Sequence, residues 1–443
     1  MLSSSEHSRS ASLRPLHLCV LAHSSGVLGI GRLVTYHASM DRPIYLDHNA
    51  TTPVLPEVIE AMRGVYAEPL LNPASQHEFG RRARRVLEDA RERIGQLLGA
   101  RMSGRDTDRV IFTSGGTEAN NLAIRGLLPL PLPLGVGRGE DRGLGHPTSQ
   151  AHLIISAIEH PSVAAVADDL ARRGWHIDRL GVDRRGVIRV EELAGLLRPE
   201  TRLVCAILGH NETGVLQPVA ELAAICHARG VPLHTDAAQV VGKLPVSFHD
   251  LGVTTLSVAA HKFHGPLGIG ALVVRHGVEL APLLLGGFQQ GGLRPGTESV
   301  AMAVGMLRAL ELWHAERDER VARMRSLRDR LEQELCTAWP DAVVLGAGAE
   351  RLPHTLNIAL VGLDRQALFL ALDQAGVACS TGSACASGSS EPSPAQLAMG
   401  CQQAVFGSAL RFSLGATTTA SDVDRAARRI LQTCQALRRQ KES

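Results

Sequence analysis

A lysine, Lys262, stands in the run Ala259-Ala260-His261-Lys262-Phe263-His264-Gly265-Pro266, after an apolar stretch and before a glycine turn, in a chain where arginine far outnumbers lysine. An amine made neutral by partial burial at such a place can condense with an aldehyde cofactor. Taken alone, the same run also reads as a solvated loop lysine. Upstream, the apolar run Val231 to Leu233 leads into His234-Thr235-Asp236-Ala237-Ala238-Gln239. A carboxylate at a strand end can pair with a protonated pyridine nitrogen and keep the ring an electron sink, and Gln239 can donate to a ring oxygen. An aspartate there equally suits a helix N-cap. The third piece is Thr113-Ser114-Gly115-Gly116-Thr117-Glu118-Ala119-Asn120-Asn121. Its glycines allow close backbone approach, and a helix opening near Thr117 offers free amides and a positive dipole end to a phosphate. Many strand-to-helix turns share part of that pattern. Together the three segments have the parts to hold a phosphorylated pyridine aldehyde at the carboxyl edge of a sheet.

A thiol completes the set. The stretch from Cys379 to Pro392, including Gly382-Ser383-Ala384-Cys385-Ala386-Ser387-Gly388, is small and flexible without apolar periodicity, so it reads as a loop that can move. Cys385 on such a loop is exposed, can ionise, and can travel between a buried cofactor and a partner at the surface. Cys379 competes for that role, but it closes the apolar run Ala375 to Ala378 and reads as packed. Arg411, in Ala409-Leu410-Arg411-Phe412-Ser413-Leu414-Gly415, has the planar fork that pairs with a carboxylate through two hydrogen bonds. A surface arginine near a sheet edge is the competing reading. His160, beside Pro161, is either part of the same chemistry or a satisfied loop residue.

These residues need a scaffold. Between Gly80 and Gly99, Ala83, Val86, Leu87, Ala90, Ile94, Leu97 and Leu98 recur every three or four positions, an amphipathic helix. Short apolar runs then follow at 109–113, 152–157, 202–208, 231–235, 254–259 and 269–274, several with helical patterns between them, the mark of an α/β protein with a largely parallel sheet. The proline- and glycine-rich stretch 129–150 interrupts this rhythm as a mobile surface insertion. A long charged helical pattern over 301–337 leads into a smaller final segment. The expected organisation is an N-terminal extension at 1–40, a joining segment at 41–57, a large cofactor-binding domain at 58–315 and a small domain at 316–443.

Composition limits the partners. The 443 residues are 44% hydrophobic, with no run long enough to cross a bilayer, so a large core can form. Lysine plus arginine number 46 against 44 acidic residues, so no net field favours nucleic acid or an anionic membrane. The eight cysteines have neither a CxxC pair nor zinc spacing, which points to a reducing compartment and no resident metal. Most, like Cys205 among Leu203, Val204, Ala206 and Ile207, read as small buried hydrophobes. Residues 1–40 are serine-rich with a short apolar patch, Leu18 to Ala22; they read as a weak targeting peptide or as an over-extended start ahead of Met40, disordered in either case.

From about Ile44 to about Arg429 the chain resembles the cysteine desulfurases of the class V aminotransferase family, with the type I fold of pyridoxal-phosphate enzymes. The resemblance rests on Tyr45-Leu46-Asp47-His48-Asn49-Ala50-Thr51-Thr52-Pro53, Ser114-Gly115-Gly116-Thr117-Glu118, Glu159-His160, Asn211-Glu212-Thr213-Gly214, Asp236-Ala237-Ala238-Gln239, His261-Lys262, Gly291-Gly292-Leu293-Arg294-Pro295-Gly296-Thr297-Glu298 and Gly382-Ser383-Ala384-Cys385. It implies a large domain with a mostly parallel seven-stranded sheet and a smaller α+β C-terminal domain. Lys262 would carry pyridoxal 5'-phosphate, Asp236 would face its pyridine nitrogen, Gln239 its ring oxygen, and His160 would stack on the ring and handle protons. Phosphate contacts would come from Gly116, Thr117 and His261, with Thr297 supplied by the other subunit of a homodimer. Asn211 would lie near cofactor and substrate, and Arg411 would clamp the carboxylate of L-cysteine. Cys385 would accept the sulfur as a persulfide, leave alanine behind, pass the sulfur to acceptors such as an iron-sulfur scaffold by thiol exchange, and serve at most as a transient iron-sulfur ligand. The resemblance also implies a cytoplasmic enzyme. Selenocysteine lyase shares nearly all these residues, and a non-catalytic scaffold of the same fold is the alternative from another class. The chain departs from the pattern at Ala259, where relatives carry a serine that reaches the phosphate, at His210 in place of asparagine, and at Ala416 in place of arginine.

Overall fold

The computed structural model describes residues 42–128, 151–382 and 393–442. The N-terminal extension, the insertion at 129–150 and Cys385 with its loop, 383–392, lie outside the described residues. The chain begins with β1 (Ile44–Tyr45), α1 (Pro56–Ala67) and α2 (Glu78–Leu97). An alternating stretch follows: β2 (Arg109–Thr113), α3 (Gly116–Leu127), β3 (His152–Ser156), α4 (Pro161–Arg172), β4 (His176–Leu180), α5 (Val190–Leu196), β5 (Thr201–Cys205), α6 (Val219–Ala228), β6 (Leu233–Asp236), α7 (Phe248–Leu251), β7 (Thr255–Ala259) and β8 (Gly270–Val274). Then come α8 (Val300–Ala338), β9 (Ala342–Val344), β10 (Thr355–Leu360), α9 (Arg365–Gln374), β11 (Val377–Ala378), α10 (Pro394–Ala398), α11 (Gln403–Phe406), β12 (Ala409–Ser413) and α12 (Ala420–Glu442).

Strands β2 to β8 make one seven-stranded sheet in the order β2-β8-β7-β6-β5-β3-β4. Pairings from β7 through β4 are parallel, as their buried apolar runs require, while β8 runs antiparallel to both β2 and β7. Parallel strands connected by helices put every strand-to-helix turn at one edge, and there the residues picked out above lie. The 202–208 run is strand only to Cys205; its remaining residues continue as buried loop. Edge strand β4 had no apolar signature, because its sequence His176-Ile177-Asp178-Arg179-Leu180 is mostly half-exposed.

Two further sheets lie toward the C-terminus: an antiparallel trio β12-β10-β9, and β1 paired in parallel with β11. The first strand of the chain thus joins a late one. A long helix links this region to the large sheet. At 39 residues α8 spans about 58 Å; Ser299 caps its start, accepting from the Met302 amide. Its first turns, through Ala303, Met306 and Leu310, pack into the core of the large sheet, and its later turns, through Leu327, Leu331 and Leu335, into a second core with Leu356, Leu368, Phe412 and Ile430. Helix α2 buries the predicted stripe, Ala83, Leu87, Ala90 and Ile94, against the large core.

Candidate active site

The glycine turn sits where three strand ends converge. Gly115 precedes α3, whose first amides receive no side-chain cap. A side chain begun at Gly116 would meet Ala259 Cβ at 3.5 Å and Ala238 Cβ at 4.0 Å, so the turn rests between the ends of β7 and β6. Gly270 permits this approach, since a Cβ there would fall 2.5 Å from the Val258 carbonyl and 2.8 Å from Gly115 Cα. The methyl of Ala259 therefore fills the place between Gly116 and the Lys262 turn.

Asp236 ends β6 and is buried. Its Oδ1 accepts from the Ala238 amide at 2.9 Å, and its Oδ2 from Asn120 Nδ2 at 2.7 Å. Residues 238–243 form turns, so Asp236 caps no helix and the N-cap reading falls. Asn120 went unnoticed in the sequence, yet it uses every hydrogen-bonding position it has. Its amide also donates to Ser162 Oγ at 2.7 Å, and its Oδ1 accepts from Ser257 Oγ at 2.5 Å and meets His234 Nε2 at 3.0 Å. The available signal was an asparagine on the apolar face of α3, between Ala119 and Leu122. Ser162 carries the network on to His160, with Oγ 2.8 Å from His160 Nδ1. His160 caps α4, its Nδ1 accepting the Ser162 amide at 3.1 Å. Burial lowers the His160 pKa, Asp236 opposes that shift and Lys262 adds to it, so both groups lie within electrostatic reach of the ring.

Lys262 ends a 3-10 turn, Ala260–Lys262, directly after β7, and is partly buried. Its amine donates to the Asn49 carbonyl at 2.7 Å and the Ala50 carbonyl at 2.9 Å. The solvated-loop reading of Lys262 is excluded. Gln239 Nε2 donates to the same Asn49 carbonyl at 3.0 Å, while Gln239 Oε1 is buried without a partner. His261 Nδ1 lies 3.1 Å from Thr51 Oγ1, and its pKa falls to about 4 through burial, Lys262 and Lys243. Lys243 is buried beneath the turn and donates to the Lys262 carbonyl; burial, then Lys262, lowers its pKa to about 7.

Arg411 is 1% exposed, so the surface reading of this residue also falls. Nη1 donates to the Asn211 carbonyl at 2.9 Å, Nη2 to Asp47 Oδ1 at 2.7 Å, and Nε is buried without a partner. Asn49 ties this group to the lysine, because its Nδ2 donates to the same Asn211 carbonyl at 3.1 Å. His210 is buried and its Nδ1 accepts the Thr213 amide at 3.2 Å. Backbone bonds in both directions between Ser380 and Arg411 start the cysteine loop beside the arginine. Gly382, the last described residue before the loop, lies with its Cβ position 3.3 Å from Glu212 Oε2. Ser393, the first after it, bonds to the same carboxyl, whose pKa burial raises. Both loop anchors thus converge on Glu212. Cys379 is buried and its pKa is pushed up to about 12, chiefly by burial, which makes it a packed thiol. Thr297 is exposed and lines a cleft with Thr113, Ser114, Gln290, Arg294 and Glu298. Arg294 in that loop pairs with Glu118 of α3 at 2.8 Å, and Glu118 accepts the Ser114 amide at 2.6 Å.

Comparison with known proteins agrees with this arrangement. The family model for aminotransferase class-V matches residues 44–426. The cysteine desulfurase IscS of Dictyoglomus turgidum is 39% identical over 385 residues, covering 87% of this chain and 93% of that protein. Among solved structures, a NifS-like protein superposes with a TM-score of 0.79 at 32% identity, covering 89% of this chain and all of the other. SspA in complex with cysteine superposes at 0.70 with 29% identity, covering 85% of this chain and all of SspA. With this breadth of match, the chain belongs to the aminotransferase class-V family, among its cysteine desulfurases.

Proposed function

We propose that this chain uses pyridoxal 5'-phosphate to take the sulfur from L-cysteine, releases L-alanine, and carries the sulfur as a persulfide on Cys385. The observation that carries this reading is the sharing of one carbonyl, Asn49 O, by Lys262 and Gln239, with the uncapped start of α3 packed between the strand ends that bear Asp236 and Lys262. The residues fit the cofactor. Gln239 has an incomplete set of partners and a second amide hydrogen for a ring oxygen. Gly116, Thr117 and His261 would hold the phosphate, and the Asp236 carboxylate, held by Asn120 and Ala238, would face the pyridine nitrogen. When bound, pyridoxal phosphate supplies an electron sink that makes the α-proton removable and weakens the bond to sulfur.

The chain's own groups do the rest. Lys262 anchors the cofactor and is held against the Asn49 and Ala50 carbonyls until needed. His160, kept neutral by burial and with Nδ1 occupied by Ser162, holds its proton at Nε2 for transfer. Arg411, together with Asn211, receives the substrate carboxylate, for which Nε is the open donor. The Cys385 thiolate forms a bond to the substrate sulfur as the carbon–sulfur bond breaks, its electron pair staying with the carbon skeleton that leaves as alanine after protonation. Three peptide units keep Cys385 Cα within about 11 Å of Gly382, which lies beside Glu212, the residue next to Asn211. A thiol on the partner then takes the sulfur by exchange.

The same reading assigns cofactor binding to 58–315 and the thiol loop to 316–443, with 41–57 joining the smaller part. It adds a homodimer in which Thr297 reaches the phosphate of the other subunit, acceptors such as an iron-sulfur scaffold, a cytoplasmic setting, and a transient cluster-ligand role for Cys385. Among the described residues no helix is long and apolar enough to cross a membrane. The test is turnover. The cofactor-loaded chain given L-cysteine and a thiol reductant is expected to release alanine and sulfide in equal amounts; Cys385→Ala should keep the cofactor's visible absorbance and release no sulfide. Undiminished sulfide from that variant would move the nucleophile elsewhere, and a much faster reaction with L-selenocysteine would make the enzyme a lyase for that amino acid.

A further inference from the structure

A second cluster of ligand-type side chains lies at the other edge of the seven-stranded sheet, where β3 and β4 begin. The two strands run parallel with His152 opposite His176, and Asp178 follows two residues along β4 on the same face as His176. His152 is fully buried. Its Nδ1 lies 2.8 Å from Thr201 Oγ1, which is itself fixed by the Arg198 amide at 2.8 Å. Its buried Nε2 faces the Asp178 carboxylate, 3.2 Å from Oδ2. On the open side His176 Nε2 stands 3.1 Å from Asp178 Oδ1.

We propose that His152 Nε2, His176 Nε2 and the Asp178 carboxylate bind one divalent transition-metal cation of the zinc type. One ligand atom from each residue lies within 4.8 Å of the others, and this is the one such group of three among the described residues. A tetrahedral ion with bonds of about 2.0 to 2.1 Å holds its ligand atoms about 3.3 to 3.4 Å apart; His152 Nε2 lies 3.2 Å from Asp178 Oδ2 and His176 Nε2 3.1 Å from Asp178 Oδ1, so the two imidazoles flank the two oxygens of one carboxylate. The Thr201 hydroxyl can accept the Nδ1 proton of His152 and so leave Nε2 as a lone pair, the outer contact that orients metal-bound imidazoles. Arg198 Nη2 donates to Asp178 Oδ2 at 2.6 Å and so holds the carboxylate in place between the two imidazoles. Two imidazoles with one carboxylate favour zinc, nickel or copper over magnesium or calcium. His176 is half-exposed, so the remaining coordination positions face water and the cation clips edge strand β4 to β3.

The experiment uses the full chain carrying its pyridoxal cofactor, with Cys385→Ala to remove the loop thiol, treated with chelator and titrated with zinc chloride alone. Calorimetry and metal analysis after dialysis are expected to find one equivalent of zinc, with a rise in Tm on binding. His176→Ala, which removes a half-exposed side chain, should weaken that binding at least tenfold and abolish the Tm rise; Asp178→Asn should do the same. Failure of the parent to bind zinc, or an equivalent bound unchanged in His176→Ala, overturns the proposal.

Discussion

Replacing Asn120 by alanine removes a side chain that bonds Asp236, Ser257 of β7 and Ser162, the neighbour of the His160 ring. The Asn120 amide makes four hydrogen bonds, all buried, and the bond to Asp236 involves a carboxylate. A bond to a charged group contributes about 1.5 to 3 kcal/mol and each neutral one about 1 kcal/mol. Their sum overstates the loss, because Asp236 keeps the Ala238 amide and Ser162 keeps His160, so a loss of about 3 to 5 kcal/mol is expected. The sign is secure: truncation leaves the Asp236 oxygen and the Ser257 hydroxyl without their partner in a dry interior. Urea unfolding of the cofactor-free chain, followed by far-ultraviolet circular dichroism, measures the effect as a lower midpoint at unchanged slope. Pyridoxal-phosphate affinity, read by titration of the visible band, should fall in parallel, since the carboxylate oriented toward the ring loses one of its two supports. A loss below about 1 kcal/mol with unaltered cofactor affinity would refute the view that Asn120 organises the site.

Other outcomes follow from the same geometry. Lys262→Ala should remove the visible absorbance of the lysine-bound cofactor, and an unchanged spectrum would exclude Lys262 as the anchor. Arg411→Lys keeps a cation but loses the fork, so steady-state kinetics should show KM for L-cysteine rising by roughly 30-fold or more, as a loss of about 2 kcal/mol implies; an unaltered KM would place the carboxylate elsewhere. Desolvation of the half-buried Glu159 carboxyl pushes its pKa up to about 7 against opposing bonds from Ser156 and Ile207. The folded chain therefore keeps this proton up to about pH 7, while the unfolded chain releases it from about pH 4.5. The stabilisation is complete below pH 4.5, fades by about 3 kcal/mol as pH rises to 7, and then levels off. Urea midpoints for Glu159→Gln across this range should lack that decline, and parallel curves for parent and variant would contradict the assignment.

The large sheet and the principal groups at its edge were legible because each depends on local pattern: apolar runs ended by Asp236 or Lys262, and a glycine pair before α3. The small helical residue spacing of α2 was equally clear. Residues that position these groups were not legible, since their importance comes from distant contacts. Asn49 reaches Lys262, Gln239, Asn211, Thr355 and His354, none of them near it in sequence. Arg411 shows the same limit from the other side: its type was readable, but its burial against Asp47 arises only when β12 meets the N-terminal segment. Edge strand β4 escaped because a half-exposed strand lacks the apolar run that marks a central one.

The pairing of Asp47 with Arg411, and of Asn49 with Ser413, has a consequence for biogenesis. These contacts span 364 positions, so a nascent chain translated at about 5 to 20 residues per second carries its early segment unsatisfied for roughly 20 to 70 seconds before the matching strand leaves the ribosome. Until then the segment whose carbonyls hold Lys262 lacks its contacts with β12. On the proposed reading, capture of pyridoxal phosphate is expected late in synthesis, once β12 has joined this segment.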